Sequence, residues 1–315
     1  MRMSRMSRMS RMSRWLLWGL VALYALLTLV NYVLIPHSVA TSVLVLVPVA
    51  FALIHGARRY GWGGILLFIL ICLVVSNALE NLSILTGFPF GHYHYTDSLG
   101  PKLLLVPLLI GPAYISTGYL AWVIGNVLVG DVRRGASGFT VFATPFIAAF
   151  AMVAWDVCLD PTLSTILKFW IWQDGGGFFG VPLTNYLGWF LTVYLFFQLF
   201  ALYIWFRRPG KAEKAEKAEA AENGTSREHY AQAVTLYAVM GAAFVLQYLT
   251  GTSRTVVDAT GAAWQTGDIY ETAAILALFT MIFIAALAAV TLIQRRPPHT
   301  SMEGAPETAV AEKVG

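Results

Sequence analysis

A chain of 315 residues that is 57% apolar and only 12% charged, with a mean hydropathy of +0.65, lies outside the range of a water-soluble domain of that length. Its net charge of +4 calls for no nucleic-acid partner, because the positions of the charges follow a membrane topology. Its two cysteines, Cys72 and Cys158, both sit in apolar segments, which leaves no disulfide framework and no thiolate metal cluster to read.

In chain order, residues 1–14 form a repetitive Met-Ser-Arg leader, expected to be disordered. No small-residue cleavage site follows the first apolar stretch, so the leader does not read as part of a cleavable signal peptide. Apolar runs of about 20 residues, the length needed to cross about 30 Å of hydrocarbon, then fall at 15–35, 38–55, 62–82, 103–130, 139–158, 186–206, 230–250 and 273–293. The expected fold is an all-α polytopic membrane bundle of about eight helices spanning 15–293. A Lys- and Glu-rich linker at 207–229 and a Pro-containing tail at 294–315 have compositions that cannot build a packed core.

The Lys and Arg residues give the orientation. With the N-terminal side named A, eighteen of them fall on side A and three, Lys102, Lys168 and Arg254, on side B. This bias places both termini in the cytoplasm and the chain in the cell membrane. The side A connections at 56–61 and 131–138 are short and basic, whereas the side B loops are long, aromatic, Gly-rich and acidic, which is where function is expected.

Four side B constellations stand out. In SNALEN at 76–81, Asn77, Glu80 and Asn81 share a helix face, and the two amides are expected to satisfy a carboxylate that is costly within a span. In GFPFGHYHYTDSLGPKL at 87–103, glycines and prolines fold a tight loop that carries Phe90, Tyr93, Tyr95 and Asp97. His92 and His94 in the same loop are too few for a metal site, and the six scattered histidines argue against a membrane di-iron oxygenase; no metal and no cofactor is expected. In WDVCLDP at 155–161, Asp156 and Asp160 stand one helical turn apart, with Pro161 expected to stop the helix. Two carboxylates that close in a low dielectric are expected to leave one protonated and one charged, the arrangement an acid catalyst needs. In WIWQDGGGFFGVPLTNYLGW at 170–189, Trp170, Trp172, Asn185 and Trp189 with a glycine run suggest a lid or slot for a flat apolar ligand. Asp268 and Glu271 at the start of the last span are expected to serve the helix dipole.

Taken in order, GFPFGHYHYTDSLGP, AWDVCLDP and IWQDGGGFFGVPLTNYLGW resemble the carotenoid biosynthesis membrane proteins, a family that includes bacterial and cyanobacterial carotenoid 1',2'-hydratases and archaeal bisanhydrobacterioruberin hydratases. The resemblance covers roughly residues 20–293 and rests on the Pro-Phe-Gly, the two tyrosines and the acids. It implies a lipid-embedded hydro-lyase that adds water to the terminal C1'=C2' double bond of an acyclic carotenoid end, lycopene- or γ-carotene-like, giving a tertiary alcohol. Enzymes that modify the hydroxylated end are the partners it implies.

Hydrating such an alkene needs a proton donor, shelter for a tertiary carbocation and a base for water. Asp156, Asp160 and Glu80 are the candidates, with Asp97 fourth. Tyr93, Tyr95, Trp170 and Trp172 offer aromatic faces to the cation. Two alternatives stand beside this reading. A UbiA-type prenyltransferase would use the DxxxD spacing of Asp156 and Asp160 to hold diphosphate through magnesium, but side B lacks the Lys and Arg for phosphate. A non-enzymatic carotenoid or lipid carrier would use the acids as a proton relay.

Overall fold

The structure is a computed structural model that describes residues 5–35, 38–207 and 225–294. The linker expected at 207–229 lies largely outside the described residues, and the tail lies outside them beyond residue 294. Of the expected leader, residues 1–4 lie outside, while the backbone from Arg5 already belongs to helix α1, Arg5–Leu29.

The chain is a mostly helical, multi-pass membrane protein. Among the described residues, six helices are long and apolar enough to cross a membrane: Met12–Leu34, Thr41–Thr86, Gly138–Ile166, Leu183–Phe206, Arg227–Thr250 and Thr266–Gln294. Two features separate this number from the eight expected. The second and third expected spans form one 46-residue element, α2 (Thr41–Thr86), which breaks at Gly61 with φ of 70°. At 1.5 Å per residue, α2 would be about 69 Å long if straight, more than twice the hydrocarbon thickness. The fourth expected span is helical only over α3, Ile110–Leu128, whose Tyr, Ser, Thr and Asn residues dilute its apolar character.

That polarity has a packing reason. Every residue of α3 from Tyr114 to Val127 is buried, because α3 lies against α2, α4 (Gly138–Asp160) and the later helices α6 (Thr225–Thr250) and α8 (Phe283–Gln294). A central helix in protein has no need to be apolar all round toward lipid. At Gly125 an added Cβ would lie 2.7 Å from the Thr144 carbonyl oxygen and 2.9 Å from the Ala148 Cβ, so a hydrogen there is what lets α3 and α4 touch. The opposite face of α4 exposes Phe139, Phe142, Phe146 and Phe150 at helical spacing, as a lipid-facing stripe should.

Pro161 does not end the helix as expected. Lacking an N–H, it cannot make the ordinary i to i−4 bond, and the chain widens into a π-helical turn, Pro161–Ile166, that continues the rod. A similar turn, Ala277–Ile282, joins α7 (Thr266–Leu276) to α8.

One end of the bundle is tied by basic side chains: Arg59 meets Asp131 at 2.8 Å, Arg14 meets Glu228 at 3.3 Å, and Arg207 donates to the Tyr60 carbonyl at 2.9 Å. The other end is capped by three interlocked loops. A two-stranded ribbon pairs β1 (Tyr93–Tyr95) antiparallel with β4 (Trp170–Trp172), in the register Tyr93↔Trp172 and Tyr95↔Trp170. Between them in sequence lies the small hairpin of β2 (Lys102–Leu103) and β3 (Val106–Pro107). A second hairpin, β5 (Thr255–Val257) with β6 (Ala263–Gln265), joins the cap through Lys168 donating to the Val257 carbonyl at 2.6 Å and the Phe179–Trp264 ring contact.

Candidate active site

The carboxylates are positioned by helices and gripped by the ribbon. Glu80 lies near the end of α2, before Gly87 closes the helix in the left-handed conformation. Asp156 and Asp160 lie one turn apart at the end of α4, and Asn185 lies in the first turn of α5 (Leu183–Phe206). All three carboxylates are at least 97% buried.

Strand alternation puts Tyr93 and Tyr95 on one face of β1 and leaves His94 on the other. Both phenols donate to Oε2 of Glu80, Tyr95 at 2.9 Å. Tyr114 of α3 donates to Oε1 at 2.8 Å. Burial first, and then the Glu80 carboxylate, push the Tyr93 and Tyr95 hydroxyls well above the ordinary tyrosine range, so both remain protonated donors.

The cross-strand partners do the same for Asp160. The indole N–H groups of Trp170 and Trp172 donate to its Oδ1 at 2.9 and 3.3 Å. The Asn185 amide divides its two hydrogens between Asp160 Oδ2 at 2.6 Å and Asp156 Oδ2 at 3.1 Å. One ribbon therefore supplies four donors to two carboxylates, with Tyr93 packed on Trp172 at 4.8 Å between ring centroids.

These groups face a cavity of about 470 Å³. Glu80, Asp156 and Asp160 line it together with Phe90, Asn185 and Trp189. The rest of the lining is largely hydrocarbon, including Leu44, Leu99, Leu109, Leu163, Leu167 and Phe169. Among the described residues, no Lys or Arg lines it.

Other expected residues lie elsewhere. The amides of Asn77 and Asn81 do not satisfy Glu80: Asn81 donates to the Asn77 carbonyl at 2.7 Å and accepts from the Leu105 N–H at 3.0 Å, which fastens the β2–β3 loop to α2. Asp97 is exposed in an ion pair with Lys102 at 3.1 Å and is not brought to the cavity. His92 faces outward against Asp174 at 2.8 Å, and His94 against Gln173 at 3.4 Å.

Sequence reasoning missed Tyr114, Asn31 and Gln247, which also line the cavity. The signal was available: each is a polar group inside an otherwise apolar span, where such residues are costly.

A family model described as carotenoid biosynthesis protein matches residues 37–257, a range that contains all three carboxylates and every donor to them. The chain is similar to the bisanhydrobacterioruberin hydratase of Haloarcula japonica, 34% identical over 118 residues. That match spans 37% of this chain and 38% of the relative, well under half of its length. No solved structure matches the chain.

Proposed function

The chain belongs to the carotenoid biosynthesis protein family, and from that premise we propose that it is a carotenoid hydratase. It adds water across the terminal C1'=C2' double bond of an acyclic, lycopene- or γ-carotene-like end group and yields a tertiary alcohol by acid catalysis. The observation that carries this reading is three buried carboxylates, each held by N–H or O–H donors, on a cavity whose remaining wall is uncharged and largely hydrocarbon. Such a pocket suits an uncharged polyene end and supplies the proton, the negative charge and the base that hydration needs.

Asp156 and Asp160 come to the site from α4 and Glu80 from α2, while the faces of Tyr93, Tyr95, Trp170 and Trp172 shelter the cation. A prenyltransferase would need cationic groups for diphosphate, and the cavity wall has no Lys or Arg among the described residues. The same reading includes eight crossings, with both termini in the cytoplasm and the chain in the cell membrane. Its support is the break of α2 at Gly61, the central place of α3 and the basic residues gathered at one end. The tertiary alcohol would then be substrate for enzymes that modify hydroxylated carotenoid ends.

The test is mass spectrometry of pigments from a lycopene-producing bacterial host that expresses this chain. A gain of one water, about 18 mass units, without a requirement for oxygen supports hydration. A gain of a prenyl unit, or pigment that moves between membranes unchanged in mass, rules it out.

A further inference from the structure

The two aspartates differ in their surroundings in a way that their sequence spacing does not disclose. Asp160 accepts from three N–H groups, those of Trp170, Trp172 and Asn185. An indole N–H and an amide NH₂ only donate, so a proton on either oxygen of Asp160 would be driven against another donor's hydrogen. Asp156 accepts one hydrogen, from Asn185 at 3.1 Å on Oδ2. Among the described residues no donor reaches its Oδ1, although Asp156 lines the cavity.

Two carboxylates joined through one amide and buried to within 2% do not both hold a charge in a low dielectric. The negative charge settles where the donors are, since hydrogen bonds to an ionised acceptor are the strong ones. Glu80 differs from both, because its donors are hydroxyls, which can also accept.

We propose that Asp156 is the catalytic acid, carrying its proton on Oδ1 toward the cavity, and that Asp160 is the standing anion. This assignment rests on the hydratase reading. The alkene π pair takes the proton from Asp156 Oδ1 at the less substituted carbon, and the electrons of the O–H bond remain on Asp156. The tertiary carbon, now positive, faces the fixed charge of Asp160. Water forms the C–O bond with its lone pair, and the proton it then sheds returns to Asp156. One molecule of water is consumed, and neither side chain is changed.

The experiment compares full-length wild type, Asp156→Asn and Asp156→Glu in lipid nanodiscs by infrared spectroscopy in H₂O and D₂O, alongside pigment turnover. We expect wild type and Asp156→Glu to show a protonated-carboxyl stretch that shifts in D₂O, and Asp156→Asn to lose it. We expect turnover to drop about a hundredfold or more in Asp156→Asn, the scale of a lost general acid, and to survive in part in Asp156→Glu, which separates loss of the acid from loss of the fold. An unchanged stretch in Asp156→Asn overturns the assignment, as does turnover within a few-fold of wild type. If wild-type protein adds no water, the hydratase reading fails, and the infrared comparison still decides where the proton sits.

Discussion

The rings of Tyr114 and Trp189 stack face to face, with centroids 4.4 Å apart and planes inclined by 8°. Tyr114 belongs to α3 and Trp189 to α5, so the stack fixes the direction from which the Tyr114 hydroxyl reaches Glu80 Oε1. A Trp189→Leu replacement keeps an apolar filler but removes the stack, worth about 0.5–1.5 kcal/mol beyond its buried area. The expected result is a folded protein whose pigment turnover falls about threefold to tenfold, measured at matched membrane levels.

The three phenols on Glu80 admit a direct comparison. Tyr93→Phe, Tyr95→Phe and Tyr114→Phe each delete one O–H and little else. A hydrogen bond to a charged group contributes about 1.5–3 kcal/mol, so each variant should lose roughly 10- to 100-fold in turnover if Glu80 bears charge during the reaction. Wild-type turnover in all three would remove Glu80 from the chemistry.

The helix that presents Asn185 sits against the aromatic loop through a glycine. A Cβ on Gly188 would lie 2.7 Å from Phe90 Cδ1 and 2.9 Å from the Pro89 carbonyl oxygen, and backbone cannot step aside as a flexible side chain can. Gly188→Ala should therefore destabilise the protein by about 1–3 kcal/mol. Gly177→Ala, where a Cβ meets nothing within 4 Å, should stay within about 0.5 kcal/mol of wild type. Thermal unfolding in detergent compares the two.

Hydration should be insensitive to metal chelators and to His92→Gln combined with His94→Gln. Five of the site's six carboxylate oxygens, all but Asp156 Oδ1, are engaged by phenol, indole and amide donors, and the two histidines point away from the cavity toward Asp174 and Gln173. Turnover measured with and without EDTA checks this, and a loss on chelation would revive the magnesium-dependent prenyl chemistry.

The acids and the aromatic loops were legible in the sequence because a carboxylate within an apolar run is costly and must be answered by something. The identity of the answer was not legible. Asn77 and Asn81 are the sequence neighbours of Glu80, yet its real donors come from residues 13, 15 and 34 positions away, a distance that helical spacing does not address. The pairing of Tyr93 and Tyr95 with Trp172 and Trp170 likewise spans two loops, and nothing local sets its register. Pro161 misled for the opposite reason. Its local effect, a missing N–H, points to a helix end, but the surrounding bundle absorbs it by widening one turn.

The size of the cavity carries a last consequence for how a substrate with two reactive ends is processed. The cube root of about 470 Å³ is about 8 Å, whereas an extended forty-carbon polyene runs to about 30 Å, the thickness of the hydrocarbon core. A carotenoid substrate would then place one terminus in the chamber and the remainder outside it, so the far terminus would react only after the molecule had left, turned end for end and returned. On the hydratase reading, the expected behaviour on symmetric pigments is distributive: singly hydrated product accumulates first, and the ratio of single to double addition follows pigment concentration and time.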